Sequence, residues 1–158
     1  MGWFQRRIIN PILDLLKQGI TPEKIALSIA VGVALGVFPV LGSTTALCAA
    51  AALLLRLNLP AIQIVNWLVY PLQILLLLPF IRMGEAIYRA PPLPLNTSQL
   101  LALVRAGAWA ATKQLWRSGI HAITAWMLIA PIGALLIYAI LAPLLRRAQS
   151  QTESRTGL

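Results

Sequence analysis

Gly36-Val-Phe-Pro39-Val-Leu-Gly42-Ser-Thr-Thr45 sits at the centre of a run from Ile25 to Leu55 that carries no charged residue. A helix crosses the hydrocarbon core of a bilayer in about 20 residues, so an uncharged stretch of this length belongs in a membrane. Proline and two glycines at its middle interrupt the helix there. Hydrocarbon offers no hydrogen-bond partners, so the interrupted backbone must be satisfied by protein or by a wet cavity. The expected break residues are Gly36, Pro39 and Gly42, with Pro71 as the counterpart further along.

Thr21-Pro22-Glu23 opens the first piece, with a hydroxyl cap, proline at the first helical position and an acid at the positive end of the dipole. The helix should end near Val37, because the residue before Pro39 resists the α conformation. A second piece runs from Ser43 to Arg56. Pieces of about 24 and 20 Å are short for a ~30 Å core, which favours a re-entrant hairpin over one kinked span.

The rest of the chain fits the same environment. The 158 residues are 59% hydrophobic, with a mean hydropathy of +0.79. Residues 1–20 read as an interfacial amphipathic helix, with Phe4, Ile8, Ile12, Leu15 and Leu16 on one face. Residues 21–147 form one membrane domain. Within it, 21–56 is the broken hairpin, and 57–89 is a second apolar segment broken at Tyr70-Pro71 and again at Pro79. Residues 96–117 form a Trp-rich amphipathic helix, and 119–147 a transmembrane helix kinked at Pro131. Residues 148–158 are polar and are expected to be a disordered tail. No cleavable leader pattern is legible, since Arg6, Arg7, Asp14 and Lys17 interrupt the first apolar stretch. The fold class is therefore an all-α, polytopic membrane protein with proline-broken hairpins.

The formal charge is +9, from thirteen Lys and Arg against four acids. The basic residues stand singly or in pairs at the edges of apolar segments, as headgroup anchors do, without the groove pattern of a nucleic-acid binder. Anionic lipid headgroups are the expected partner, with a homo-oligomer as a further possibility and nucleic acid excluded. Cys48 reads as a small apolar residue of a packed helix. The chain shows no nucleophile elbow, phosphate loop, paired carboxylates or metal-ligand spacing, so neither an enzyme nor a cofactor is expected.

The candidate binding residues follow from the break. Gly42, Ser43, Thr44 and Thr45 begin the second half-helix, where free backbone N–H groups and hydroxyls face an anion with the dipole behind them. Arg56 or Arg82 supplies countercharge, and Asn66 an amide at mid-segment. Asn66 and Gln73 have helix-to-helix bonding as their ordinary role. The function expected is binding or translocation of an anionic amphiphile such as a lipid or polyprenyl phosphate. The alternatives are a non-catalytic scaffold or accessory subunit, and a small-solute or ion transporter.

Three motifs carry a family likeness: Gln18-Gly-Ile-Thr-Pro-Glu-Lys-Ile-Ala-Leu-Ser-Ile-Ala-Val-Gly32, then Gly36-Val-Phe-Pro-Val-Leu-Gly42, then Leu54-Leu-Arg-Leu-Asn-Leu-Pro60. Over residues 18–89 the chain resembles the bacterial family called domain of unknown function 2062. The asparagine–proline pair usual in that family stands here as Tyr70-Pro71. The resemblance implies a small, multi-pass protein of the bacterial inner membrane. In architecture the chain is also similar, more distantly, to the DedA superfamily of lipid translocases, whose proline-broken hairpins lie beside amphipathic helices.

Overall fold

The computed structural model describes residues 21–93, Ser98, Arg105 and 107–156; the interfacial helix expected at 1–20 and most of 94–106 lie outside these. Among the described residues every regular element is helical. They are α1 (Pro22–Gly36), α2 (Thr44–Leu54), α3 (Leu59–Leu68), α4 (Tyr70–Tyr88) and α5 (Ala108–Thr156).

The start of α1 follows its capping chemistry. The Thr21 hydroxyl accepts from the Lys24 N–H at 3.4 Å, and proline opens the helix. Asn58 does the same for α3, its Oδ1 accepting from the Ala61 N–H at 2.8 Å. Between α1 and α2 the chain reverses through residues 37–43, with Gly42 at φ +85°. Only glycine takes that conformation without steric cost.

The reversal is a true hairpin. The Asn58 N–H, just beyond α2, donates to the Ser28 Oγ in the second turn of α1 at 3.2 Å. The end of the second arm therefore lies level with the second turn of the first. Helix α3 then runs alongside α1 in the same direction. A side chain at Gly32 would meet the Val65 Cβ at 3.0 Å, and one at Gly36 would meet the Val69 Cγ2 at 2.3 Å. Ser28, Gly32 and Gly36 thus form a small-residue seam at four-residue spacing, which lets two backbones approach closely. Against the other face of the hairpin, Cys48, Ala52 and Ile62 form a buried cluster with Val31, Leu35 and Leu57 around it.

Residues 57–89 do not form a second hairpin. The Val69 N–H bonds the Val65 carbonyl at 3.0 Å, and the Gln73 N–H bonds the Val69 carbonyl at 2.8 Å, so the ladder continues past the interruption. Pro71 falls in the first turn of α4, where its missing N–H costs least. Pro79 lies inside α4 without ending it. Helices α3 and α4 are joined through the single residue Val69.

Helix α5 also departs from expectation. It is a continuous 49-residue helix, Ala108–Thr156, so that residues 108–117 of the helix expected at 96–117, the helix expected at 119–147 and residues 148–156 of the expected disordered tail are one element. Nothing at Ser118-Gly119 removes a backbone donor, and an interior glycine costs only about 1 kcal/mol against alanine. Past Arg147 the residues are mostly tolerable helix formers added to an already nucleated helix. Pro131 and Pro143 sit within it.

Helix α5 packs on both α1 and α4. A side chain at Gly84 would lie 2.0 Å from the His121 carbonyl oxygen, so the backbones of α4 and α5 nearly touch there. Tyr88 stacks on His121 at 4.6 Å, and its hydroxyl bonds that of Thr124 at 3.0 Å. At the far end Arg146 forms an ion pair with Glu23. The Glu23 carboxyl is held below its usual value, first by a hydrogen bond from its own backbone and then by Arg146.

Among the described residues, two helices are long and apolar enough to cross a membrane: Tyr70–Tyr88 and the stretch Thr112–Ser150. Only 11% of the apolar window in the second is buried, and Ile132, Leu135, Leu136 and Ile140 all stand open. A soluble protein would bury such a helix, and this one presents it outward. That exposure marks a membrane-associated protein.

Candidate binding site at the proline break

The residues that bring the site together are amides and an indole. Reversing the chain at 37–43 leaves carbonyls of α1 without helical partners. The Trp126 indole N–H donates to the Ala34 carbonyl at 2.8 Å, and the Gln73 amide donates to the Phe38 carbonyl at 2.7 Å. Phe38 meets the Trp126 ring edge-on, with centroids 4.8 Å apart. On the other arm the Gln63 amide donates to the Thr45 carbonyl at 3.0 Å. Buried Asn66 donates to the Thr45 hydroxyl at 3.4 Å and to the Gln63 Oε1 at 3.3 Å. The broken backbone is therefore clamped by protein on both arms.

This placement revises the roles expected of several residues. The Ser43 hydroxyl donates back to the Val40 carbonyl at 2.8 Å, and no side chain caps α2. Thr44 is buried, while the Thr45 hydroxyl is engaged by Asn66. A side chain at Gly42 would meet nothing within 4 Å. What requires glycine is its positive φ. Gly36, expected at the break, ends α1 and serves as the contact with Asn66 and Val69.

The two arginines do not join this cluster. Arg56 stands exposed beyond the C-terminus of α2, at φ +52°. The whole of α2, roughly 16 Å long, separates it from Ser43. Arg82 pairs with Glu85 at 2.9 Å. The buried Glu85 carboxylate also accepts from the Leu93 N–H at 2.5 Å, which fastens the start of the 90–93 connector to α4.

A cavity of about 620 Å³ opens beside the reversal. Pro39, Val40 and Leu41 form one wall, Leu77 of α4 another, and Trp116 and Ile120 of α5 a third. Its size falls in the roughly 300–1,000 Å³ range of small-molecule sites. The surface is almost wholly apolar, with Thr112 supplying a hydroxyl. It would hold hydrocarbon. Directly past Leu41 begins α2, with the backbone N–H groups of its first turn left uncapped by any side chain. Lys113 and Arg117 stand exposed on α5 next to the lining residues Thr112 and Trp116.

Gln73 was read as an amide bonding helix to helix, and its bond to Phe38 is of that kind; Trp126 and the Ser28–Gly32–Gly36 seam were passed over as determinants of the site. The seam had a legible signal, small residues at four-residue spacing. Trp126 had none, since its partner lies 92 positions away. No group of three or more His, Cys, Asp or Glu able to hold a metal occurs among the described residues.

This hairpin, clamped against one long outward-facing apolar helix, defines the class as an all-α membrane-associated protein. The chain belongs to a family of bacterial proteins described as "Uncharacterized protein conserved in bacteria (DUF2062)", whose model matches residues 5–154. No curated protein and no solved structure matches the chain significantly.

Proposed function

We propose that this protein is a multi-pass protein of the bacterial inner membrane that binds an anionic amphiphile at the α1–α2 reversal. The hydrocarbon chain occupies the 620 Å³ cavity, and the headgroup faces the start of α2. The observation that carries this reading is the adjacency of an apolar cavity to an uncapped helix N-terminus, the two separated only by Gly42 and Ser43. Helix dipole and free N–H groups favour a phosphate or carboxylate there. The hairpin enters and leaves the bilayer on one side, because α1 and α2, at roughly 22 and 16 Å, are short for the core.

Binding is favoured over translocation by the hydroxyls. Ser43 and Thr45 are engaged by protein, and the cavity offers no polar path. Arg56 and Arg82 act as headgroup anchors at the edges of the fold, with Lys113 and Arg117 supplying countercharge beside the cavity.

Native mass spectrometry of the purified protein with a lipid phosphate and with a zwitterionic lipid of the same chains tests the reading. The wild type should retain the phosphate preferentially. Ile120→Trp, which fills the cavity, should remove both lipids. Ser43→Asp, which places a carboxylate where the headgroup sits, should remove only the preference. Equal retention of both lipids by all three proteins would refute the site.

A further inference from the structure

The cavity sits at one end of the fold. Its walls come from the reversal at Pro39, Val40 and Leu41, from Leu77, and from α5 between Thr112 and Ile123. The other end is marked by the Glu23–Arg146 ion pair, where both side chains are exposed. Exposed charges of this kind belong at a headgroup level and not in hydrocarbon. Thirty residues of α5 separate Arg146 from Trp116, which lines the cavity. Helical rise makes that length roughly 45 Å, against a core of about 30 Å. Even at a tilt of about 40°, the steep end of the ordinary range, it spans roughly 34 Å of depth. With Arg146 at one headgroup level, Trp116 is therefore at the other.

The side chains around Trp116 fit that level. Trp109 and Trp116 are 82% and 72% exposed, and Lys113 and Arg117 stand exposed beside them. Tryptophan together with Lys and Arg is the composition of a membrane interface. Helix α1 gives the same depth from the opposite direction. At roughly 22 Å it carries the reversal past the midplane of the core, which lies about 15 Å in.

We propose that the cavity is open to one leaflet only, the leaflet opposite Lys24 and Arg56, and takes an anionic lipid from that leaflet. The headgroup stays at the mouth, where Lys113 and Arg117 supply countercharge, and the acyl chain lies against Leu41 and Ile120. Among the described residues, no part of the lining comes from the base of the hairpin or from α5 beyond Ile123. A lipid of the near leaflet keeps its headgroup a full core thickness away, about 30 Å, and its chain ends near the midplane. The site therefore samples the composition of one membrane face.

This inference rests on the amphiphile reading, and the test separates the two. The probe is a phosphatidylglycerol with a diazirine at the end of one acyl chain, exchanged by cyclodextrin into the outer leaflet of vesicles holding the full-length protein in both orientations. Trp109→Cys and Lys24→Cys, each with Cys48→Ala, mark which end faces outward. Outward cysteines are biotinylated with an impermeant maleimide, the vesicles are irradiated, and captured protein is mapped for cross-links at 39–41 and 112–123. Trp109-outward protein should carry these cross-links, and Lys24-outward protein should lose them. Equal cross-linking in both populations, or cross-linking only in the Lys24-outward one, would overturn the leaflet assignment and leave the amphiphile site standing. Cross-links at these residues in neither population would overturn both readings. Each marker variant decides the matter alone, because moving the probe to the inner leaflet should reverse its result.

Discussion

The chain contains two aromatic–proline pairs, Phe38-Pro39 and Tyr70-Pro71, and they do opposite things. At the first the chain turns back on itself between α1 and α2; at the second it bends and continues from α3 into α4. Proline is not what distinguishes them. Around Pro39 seven residues, 37–43, lie outside helix, and Gly42 supplies a left-handed φ of +85° that closes the reversal. Around Pro71 only Val69 leaves the helix, at φ −88° and ψ 0°, and i to i+4 bonds run on either side of it. A proline removes one donor. A reversal also needs a residue that can take the turn and side chains that satisfy the freed carbonyls. The first site has Gly42 with Gln73 and Trp126 as donors, and the second lacks a left-handed glycine.

The largest effect should come from Gly36→Leu, which drives a side chain into Val69 and Asn66 at the point where the two breaks meet. Overpacking of this kind costs about 1–3 kcal/mol or more, and should appear as a lowered midpoint of SDS-induced unfolding in mixed micelles. Gln73→Leu comes next. It leaves the Phe38 carbonyl buried and unpaired, for a loss of about 1–3 kcal/mol in the same titration. Gly42→Ala should cost about 1–2 kcal/mol through its positive φ alone, since the space for a methyl group is open. Pro71→Ala should change the midpoint by less than about 0.5 kcal/mol, because the first turn of α4 can hold either residue. A Pro71→Ala effect as large as that of Gly42→Ala would erase the contrast between the two breaks.

The smallest effect is that of pH on the Glu23–Arg146 contact, which ties the open end of the hairpin to α5. A lowered carboxyl pKa stabilises the fold above the unfolded value, near 4.5, and that contribution is lost as pH falls through the lower folded value. Acidification below about pH 4.5 should therefore weaken the wild type slightly more than Glu23→Gln, in the same unfolding titration.

Much of this contrast was legible in the sequence, for identifiable reasons. Caps such as Thr21-Pro22-Glu23 and Asn58-Leu-Pro60 act locally, so the helix starts they mark are where expected. The hairpin follows from lengths and from the Pro39 and Gly42 pair. At Tyr70-Pro71 the sequence left a kink and a second hairpin both open, because a proline's effect depends on its position within a helical turn, and the structure has the kink. The candidate site divides the same way. Ser43–Thr45 is the start of a helix, as read, but which partner each hydroxyl takes depends on Asn66 and Val40. The cavity is made by α4 and α5 closing on the reversal, and no local pattern encodes a space between three distant segments.

The central claim is that the first break returns the chain to the side it came from while the second does not. Single cysteines at Lys24, Arg56 and Arg82, introduced with Cys48→Ala into protein in sealed inner-membrane vesicles, can be labelled with a membrane-impermeant maleimide before and after permeabilisation. The account predicts that Lys24→Cys and Arg56→Cys react from one side and Arg82→Cys from the other. Labelling of Lys24→Cys and Arg56→Cys from opposite sides would contradict it.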